Sequence, residues 1–122
     1  MTEFKGFDKN FSLVGKVALV TGAAKGIGKA IAALFSEKGA DIILVDIDKA
    51  VSEVAKQINK TGRQALSLIY NITIPSNINK IVEESIKKFG KIDILVNNAG
   101  TSIIDNAEIL SEDAWDKVIE LN

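Results

Sequence analysis

The sequence predicts an α/β fold built on a doubly wound parallel sheet whose strands stand in the order 3-2-1-4. The alternation of apolar patterns along the chain and the usual handedness of parallel strand connections lead to this fold class. Short apolar runs alternate with stretches whose apolar residues recur at helical spacing, which gives the order βαβαβαβα. Right-handed crossovers between parallel strands then place a crevice between the first and fourth strands, where the strand order reverses.

The first strand and helix are predicted on either side of a glycine-rich turn. Residues 16–20 are a run of β-formers that ends at Thr21 and Gly22. Gly39 follows the helix and stops it, because glycine adopts positive φ without steric cost. The helix is expected to bury an apolar stripe made of Ile27, Ile31, Leu34 and Phe35.

The second strand and helix follow the same pattern. Residues 42–45 are continuously apolar, as expected of a strand that is covered on both faces. Asp48 is expected to begin the helix and Gly62 to end it. The buried stripe of this helix is expected to comprise Val51, Val54, Ala55 and Ile58.

The third unit has a strand over residues 65–70 and a helix with Thr73 as N-cap and Pro75 in the first turn. Gly90 closes this helix, and residues 92–96 form the fourth strand. The buried stripe of the third helix is expected to comprise Ile78, Ile81, Val82, Ile86 and Phe89.

The last unit is a loop over residues 101–110 and a helix capped by Ser111, with a buried face made by Trp115, Val118 and Ile119. No C-cap signal precedes Asn122, and the fourth strand would be an uncovered edge. We therefore expect residues 1–122 to be one domain, truncated before the remaining strands of a larger fold. Residues 1–15 are expected to form an N-terminal arm held down by its phenylalanines.

Composition excludes several classes of protein. A net charge of -1 argues against a nucleic-acid or anionic-membrane binder, and no apolar run is long enough to span a membrane. The chain has neither Cys nor His, so we predict no disulfide and no metal site, and proton chemistry must use Tyr, Lys, Ser or carboxylates. A soluble cytoplasmic protein is the default expectation.

The glycine-rich turn is the strongest functional signal. Gly22 permits a tight turn, Gly26 lets the backbone approach a diphosphate, and Gly28 allows close packing of the helix. The helix N-terminus adds free N–H groups and a positive dipole end. A nucleoside-triphosphate P-loop is rejected, because Gly22 and Gly28 are one residue too far apart and Ala30 replaces the required hydroxyl.

Asp46 ends the second strand, 18 residues after Gly28. A carboxylate there can accept hydrogen bonds from ribose hydroxyls and repel a 2′-phosphate, which favours NAD over NADP. A second interpretation is that Asp46 merely caps the following helix. Lys25 could pair with a 2′-phosphate and so favours NADP, whereas Ile47 supplies no second cation. On balance, the predicted cofactor is NAD.

These residues resemble the classical short-chain dehydrogenase/reductase family from about Leu13 onward. Thr21-Gly22-x-x-x-Gly26-x-Gly28 is similar to the family's cofactor signature, and Asn97-Asn98-Ala99-Gly100 is similar to its second signature. The resemblance implies a Rossmann-type fold. It also implies that the residues along the cofactor are Thr21, Gly22, Ala24, Lys25, Gly26, Ile27, Gly28, Asp46, Ile47, Asn71, Ile72, Asn98, Ala99 and Gly100.

Five of these positions have particular implied roles. Asn98, Ala99 and Gly100 lie against the adenosine ribose, and the Asn97 segment steadies the sheet. Asn71 stands where the family usually has Asp, which contacts the adenine amino group, and an amide carbonyl can accept the same hydrogen bond. Ile72 contributes backbone contacts.

Asn122 matches the asparagine that orders a catalytic water in this family. The family's remaining catalytic groups are a Ser and a Tyr-x-x-x-Lys pair, in which the Lys lowers the pKa of the Tyr. Tyr70 is the one tyrosine, and Ile74 stands four residues later, so the pair is missing here.

The resemblance implies an NAD-dependent oxidoreductase that moves hydride between nicotinamide and a small secondary alcohol or ketone, with a polyol or sugar-derived alcohol as a candidate. The parent protein is expected to be a homo-oligomer, commonly a tetramer in this family, and the 122 residues alone are expected to be inactive. The alternative is a non-catalytic NAD-binding or interaction module.

Overall fold

The computed structural model describes residues 11–98, so the predictions for the arm, the 101–110 loop and the final helix lie outside the described residues. Strands and helices alternate along the described part of the chain. Their bounds are β1 Val17–Thr21, α1 Gly26–Glu37, β2 Asp41–Asp46, α2 Val51–Lys60, β3 Ala65–Ile69, α3 Pro75–Phe89 and β4 Ile94–Val96.

The four strands form one parallel sheet in the order β3-β2-β1-β4, which confirms the predicted Rossmann-type order 3-2-1-4. At the centre of the sheet, Leu19 pairs with Ile43 on one side and with Leu95 on the other. Because all four strands run in the same direction, their carboxyl ends meet at one edge of the sheet, where open α/β folds bind ligands.

Alternate residues of the central strands face two separate apolar layers. Ala18 and Val20 of β1 contribute to the layer that includes the buried stripe of α2. Val17 and Leu19 contribute to the layer that includes Ile81 of α3. A sheet covered on both faces accounts for the unbroken apolar runs of its central strands.

Helix α1 reaches the sheet through small residues. Its buried positions are Gly28, Ala32 and Ser36, while Ile31 and Phe35 are half-buried against the same layer. Ile27 is 71% exposed, so its predicted place in the buried stripe was wrong. Ile27 lies beside the buried row of Gly28, Ala32 and Ser36 and not on it. Ile31 and Phe35, which share its side of the helix, are likewise only partly buried.

The glycines in the sequence predicted where the helices end more accurately than the candidate capping residues predicted where they start. Gly39, Gly62 and Gly90 all have positive φ just after their helices, as predicted. The start of α2 is Val51 rather than Asp48, whose carboxylate accepts the Ala50 N–H at 2.9 Å in the preceding turn. None of the helices within residues 11–98 is long and apolar enough to cross a bilayer.

Helix α3 is also capped differently from the prediction. Its N-cap is Ile74, which makes no side-chain capping hydrogen bond. The Thr73 hydroxyl instead donates to Asn71 Oδ1 at 2.6 Å. Asn71 therefore organises this connection, because its backbone carbonyl accepts from the Ile74 N–H at 3.2 Å and from Asn77 Nδ2 at 2.9 Å.

Candidate cofactor-binding site

A cleft of about 510 Å³ lies at the carboxyl edge of the sheet. It is bounded by the turn after β1, the end of β2, the β3–α3 connection and the segment after β4. The residues that line it are Gly22, Lys25, Val45, Asp46, Ile47, Tyr70, Asn71, Ile72, Thr73 and Asn98.

The turn between β1 and α1 leads into a helix start whose first backbone N–H groups are unpaired within residues 11–98. Gly22 and Gly26 both have φ of +63°, and a Cβ at Gly26 would meet nothing within 4 Å. The first backbone hydrogen bond of α1 is from Lys29 N–H to Lys25 C=O, at 3.5 Å. The N–H groups of residues 26–28 consequently find no acceptor among residues 11–98, and the first turn carries no acidic side chain. An anion is the natural partner for this helix terminus.

Gly28 is needed for a close contact between the turn and the segment after β4. The Asn98 side-chain amide donates to the Gly22 carbonyl oxygen at 3.2 Å. A Cβ on Gly28 would lie 2.5 Å from Asn98 Nδ2 and closer still to the Gly22 oxygen. Gly28 thus makes room for the hydrogen bond that joins the first and second sequence signatures.

Thr21 makes a second link between the same two segments. Its buried hydroxyl donates to the Val96 carbonyl oxygen at 3.3 Å and accepts the Asn98 backbone N–H at 3.0 Å. Both of these bonds are made within the protein, so Thr21 supports the floor of the site.

Asp46 connects the end of β2 to the turn. Its Oδ2 accepts the Ala24 backbone N–H at 3.0 Å, and its Oδ1 accepts the Asp48 N–H at 2.9 Å. The carboxylate lines the cleft while these two bonds fix its orientation. Each oxygen has a second lone pair available for a hydroxyl donor. Ile47, next to it, is 66% exposed and adds an apolar surface to the cleft.

The β3–α3 connection contributes a polar side chain whose hydrogen bonding differs from expectation. Asn71 Oδ1 accepts the Thr73 backbone N–H at 2.9 Å as well as the Thr73 hydroxyl. Both lone pairs of this oxygen therefore have donors within the protein.

Tyr70 is a cleft residue that sequence reasoning missed. Its ring packs partly against the α3 layer, and its hydroxyl donates a short hydrogen bond to Glu84 Oε2 on α3. This hydrogen bond, with smaller effects of desolvation and of the Glu84 charge, raises the pKa of Tyr70. Its position directly after β3, beside Asn71, was the signal that could have identified it.

Within residues 11–98, the sequence-predicted residues all lie at one edge of the sheet, either in the turn that begins α1 or along the cleft. Gly26 and Ile27 start α1, while Thr21, Ala24 and Gly28 support the turn from behind. Ala99, Gly100 and Asn122 lie outside the described residues. The predicted residues that line the cleft directly are Gly22, Lys25, Asp46, Ile47, Asn71, Ile72 and Asn98.

A dinucleotide fits this arrangement. N–H groups that are unpaired in the described part of the chain lie at the start of α1, an oriented carboxylate lies at the end of the neighbouring strand, and the cleft joins them. The fold and the site define a dinucleotide-binding α/β protein. The chain belongs to the short-chain dehydrogenase family, whose sequence model matches residues 16–122.

Two relatives in sequence illustrate the similarity. An NAD-dependent glycerol dehydrogenase of Listeria innocua is 55% identical over 119 residues, which are 98% of this chain and 46% of that protein. The 3-oxoacyl-[acyl-carrier-protein] reductase FabG of Thermotoga maritima is 40% identical over 111 residues, covering 90% of this chain and 45% of the reductase. The chain spans about half the length of the curated relatives it matches.

Solved structures show the same architecture. A hydroxysteroid dehydrogenase from Escherichia coli superposes with a TM-score of 0.72 at 42% identity, over 75% of this chain and 40% of that chain. The L-sorbose reductase of Gluconobacter frateurii, solved with NADPH and L-sorbose, superposes with a TM-score of 0.76 at 31% identity, over 84% of this chain and 47% of that one.

Proposed function

We propose that this chain forms the NAD-binding part of an oxidoreductase that interconverts a small secondary alcohol and its ketone. The observation that carries the proposal is the cleft that joins the open α1 N-terminus to the Asp46 carboxylate. In this arrangement the N–H groups of residues 26–28 hold the diphosphate, and Asp46 accepts hydrogen bonds from the adjacent ribose.

The same carboxylate supports NAD over NADP. A 2′-phosphate on that ribose would meet the negative charge of Asp46, and Ile47 offers no positive charge in return. Lys25 also lines the cleft, and within residues 11–98 it is the cation of the cleft lining that could favour the phosphate. The NADPH complex of the L-sorbose reductase shows that relatives differ in cofactor. The NAD-dependent glycerol dehydrogenase, which is more similar in sequence, supports NAD here.

A polyol or sugar-derived alcohol is the proposed substrate class. Support comes from the names of two relatives, a glycerol dehydrogenase and an L-sorbose reductase, both of which act on polyhydroxylated compounds. For the whole protein we propose a homo-oligomeric enzyme of the cytoplasm, on the strength of the family resemblance alone.

The chemistry that bound NAD supplies is hydride transfer. The described residues bind and orient the cofactor in this proposal, and none of them is assigned to proton transfer. Tyr70 does not qualify, because its hydroxyl is bonded to Glu84 and residue 74 is Ile rather than Lys. The 122 residues contain no Tyr-x-x-x-Lys pair, so we propose that they lack alcohol dehydrogenase activity on their own.

Calorimetric titration with NAD and with nicotinamide mononucleotide tests the proposal. We expect NAD to bind and the mononucleotide to bind far more weakly, because it lacks the diphosphate bridge and the adenosine. Absence of NAD binding by the folded protein would contradict the proposed function.

A matched pair of charge reversals locates the diphosphate. Lys25→Glu places a negative charge at the N-cap of α1 and should weaken NAD binding about tenfold. Lys29→Glu makes the same change on the next turn, outside the cleft, and should have a much smaller effect. Equal effects of the two variants would argue against a diphosphate at the helix start.

A further inference from the structure

The β3–α3 connection forms the part of the cleft that a nucleobase would occupy. The diphosphate lies at the end of β1 and its ribose at the end of β2 in the proposed function, on which this inference rests. Because β3 is the next strand in the sheet, the base attached to that ribose extends toward the end of β3. Asn71 and Thr73 line the cleft there.

The hydrogen bonds of Asn71 determine which polar group it presents to the base. The Thr73 backbone N–H can only donate, so the atom that faces it at 2.9 Å must be the Asn71 oxygen rather than the nitrogen. The Thr73 hydroxyl donates to that oxygen too. The Asn71 Nδ2 group has no acceptor among residues 11–98, and its two N–H bonds are its remaining hydrogen-bonding capacity.

We propose that Asn71, held by Thr73, presents a hydrogen-bond donor to the base, so that the site does not select the 6-amino group of adenine. The amino group is itself a donor and finds no acceptor in Asn71. A carbonyl oxygen at the same ring position is an acceptor that matches the Nδ2 donor. The site therefore accepts a 6-oxopurine dinucleotide at least as well as NAD.

The test compares NAD with nicotinamide hypoxanthine dinucleotide, in which a 6-oxo group replaces the 6-amino group and ring atom N1 carries a proton. Calorimetry on the wild-type protein should give equal dissociation constants or tighter binding of the hypoxanthine compound. Asn71→Asp keeps an oxygen for Thr73 and turns the second oxygen to the base. It should therefore shift the ratio of the two dissociation constants about three- to tenfold in favour of NAD. Gln57→Glu adds the same charge at an exposed position of α2 and should leave the ratio unchanged.

Changes at Thr73 test the positioning role separately. Thr73→Val removes the hydroxyl donor and frees one lone pair of Asn71 Oδ1. The ratio of dissociation constants should therefore move partway toward NAD. Thr73→Ser keeps the hydroxyl and should preserve the wild-type ratio. Circular dichroism would establish that each variant is folded.

Three results would overturn the inference. One is a wild-type preference for NAD of severalfold, and another is a ratio that Asn71→Asp leaves unchanged. Either result, obtained with tight NAD binding, would leave the proposed function intact. If the folded wild-type protein bound neither dinucleotide, the proposed function and the inference would both be overturned.

Discussion

The Asp46 carboxylate accepts the backbone N–H of Ala24 at 3.0 Å, which ties the end of β2 to the turn that follows β1. One side chain therefore has two roles: it fixes the shape of the turn and it presents negative charge to the cleft. The two roles can be separated by substitution, because only one of them depends on charge.

Asp46→Ala should weaken NAD binding, relax discrimination against NADP and lower the free energy of unfolding by about 1 kcal/mol, since the Ala24 N–H loses its acceptor. Asp46→Asn keeps one acceptor oxygen, which can serve the Ala24 N–H at the expense of the Asp48 N–H, and should relax cofactor discrimination with a smaller loss of stability than Asp46→Ala. Calorimetry with both cofactors and urea denaturation measure these effects. Asp48→Asn removes the same charge from an exposed position and is the control. An unchanged NAD-to-NADP ratio in both Asp46 variants would remove Asp46 from the ribose site.

Gly28→Ala should destabilise the protein although alanine is the better helix former. The added Cβ would overlap the Gly22 carbonyl oxygen and Asn98 Nδ2, and relief of that overlap should cost about 1–3 kcal/mol in unfolding free energy. Gly62→Ala is the control, because that glycine has φ of +93° but open space around it, so the cost there is about 1 kcal/mol of backbone strain. The decisive comparison is NAD affinity, which Gly28→Ala should reduce and Gly62→Ala should leave intact. A stabilised Gly28→Ala variant would disprove the close contact.

Thr21→Val should lower the free energy of unfolding by about 1–2 kcal/mol, because the Asn98 N–H and the Val96 carbonyl lose their shared hydroxyl partner in a buried place. Thr21→Ser keeps the hydroxyl and should retain most of that hydrogen-bonding contribution. Urea denaturation compares the two variants. Equal stabilities would mean that the hydroxyl does not hold the two segments together.

The ionisation of Tyr70 can be followed without interference, because it is the only tyrosine of the chain. The hydrogen bond to Glu84 raises its pKa above the ordinary value of 10.0. Near-ultraviolet absorbance should therefore show a titration midpoint above 10.0 in the native protein and a lower midpoint in Glu84→Ala. Glu84→Gln retains an acceptor without the charge and should give an intermediate value. An unchanged midpoint in both variants would exclude the hydrogen bond.

The raised pKa also fixes the sign of a pH effect. The native state holds the phenolic proton more tightly than the unfolded chain does, so the bond stabilises the native state fully below the unfolded pKa. That stabilisation is lost as the pH rises through the higher native pKa. Stability of the wild-type protein should fall relative to that of Glu84→Ala over this alkaline range.

The strand order and helix ends were predictable because they follow from local signals and general chirality. A glycine such as Gly90 stops a helix through its own φ, and parallel strands joined by helices admit few arrangements. The helix starts were less predictable. The exposure of Ile27 depends on which row of α1 faces the sheet, and the small residues Gly28, Ala32 and Ser36 of that row do not stand out in a pattern of large apolar residues.

The positions of the candidate site residues in the fold were more predictable than the hydrogen bonds that these residues make. Gly22, Asp46 and Asn98 meet at the cleft as expected, because the carboxyl ends of parallel strands share an edge. The occupation of the Asn71 oxygen by Thr73 was not foreseen, since it depends on the local path of the chain between β3 and α3.

A crystal structure of the protein with bound NAD tests the central claim most directly. The account predicts a diphosphate against the backbone N–H groups of residues 26–28 and ribose hydroxyls within hydrogen-bond distance of Asp46. A diphosphate bound elsewhere, with the α1 N-terminus facing solvent, would contradict it.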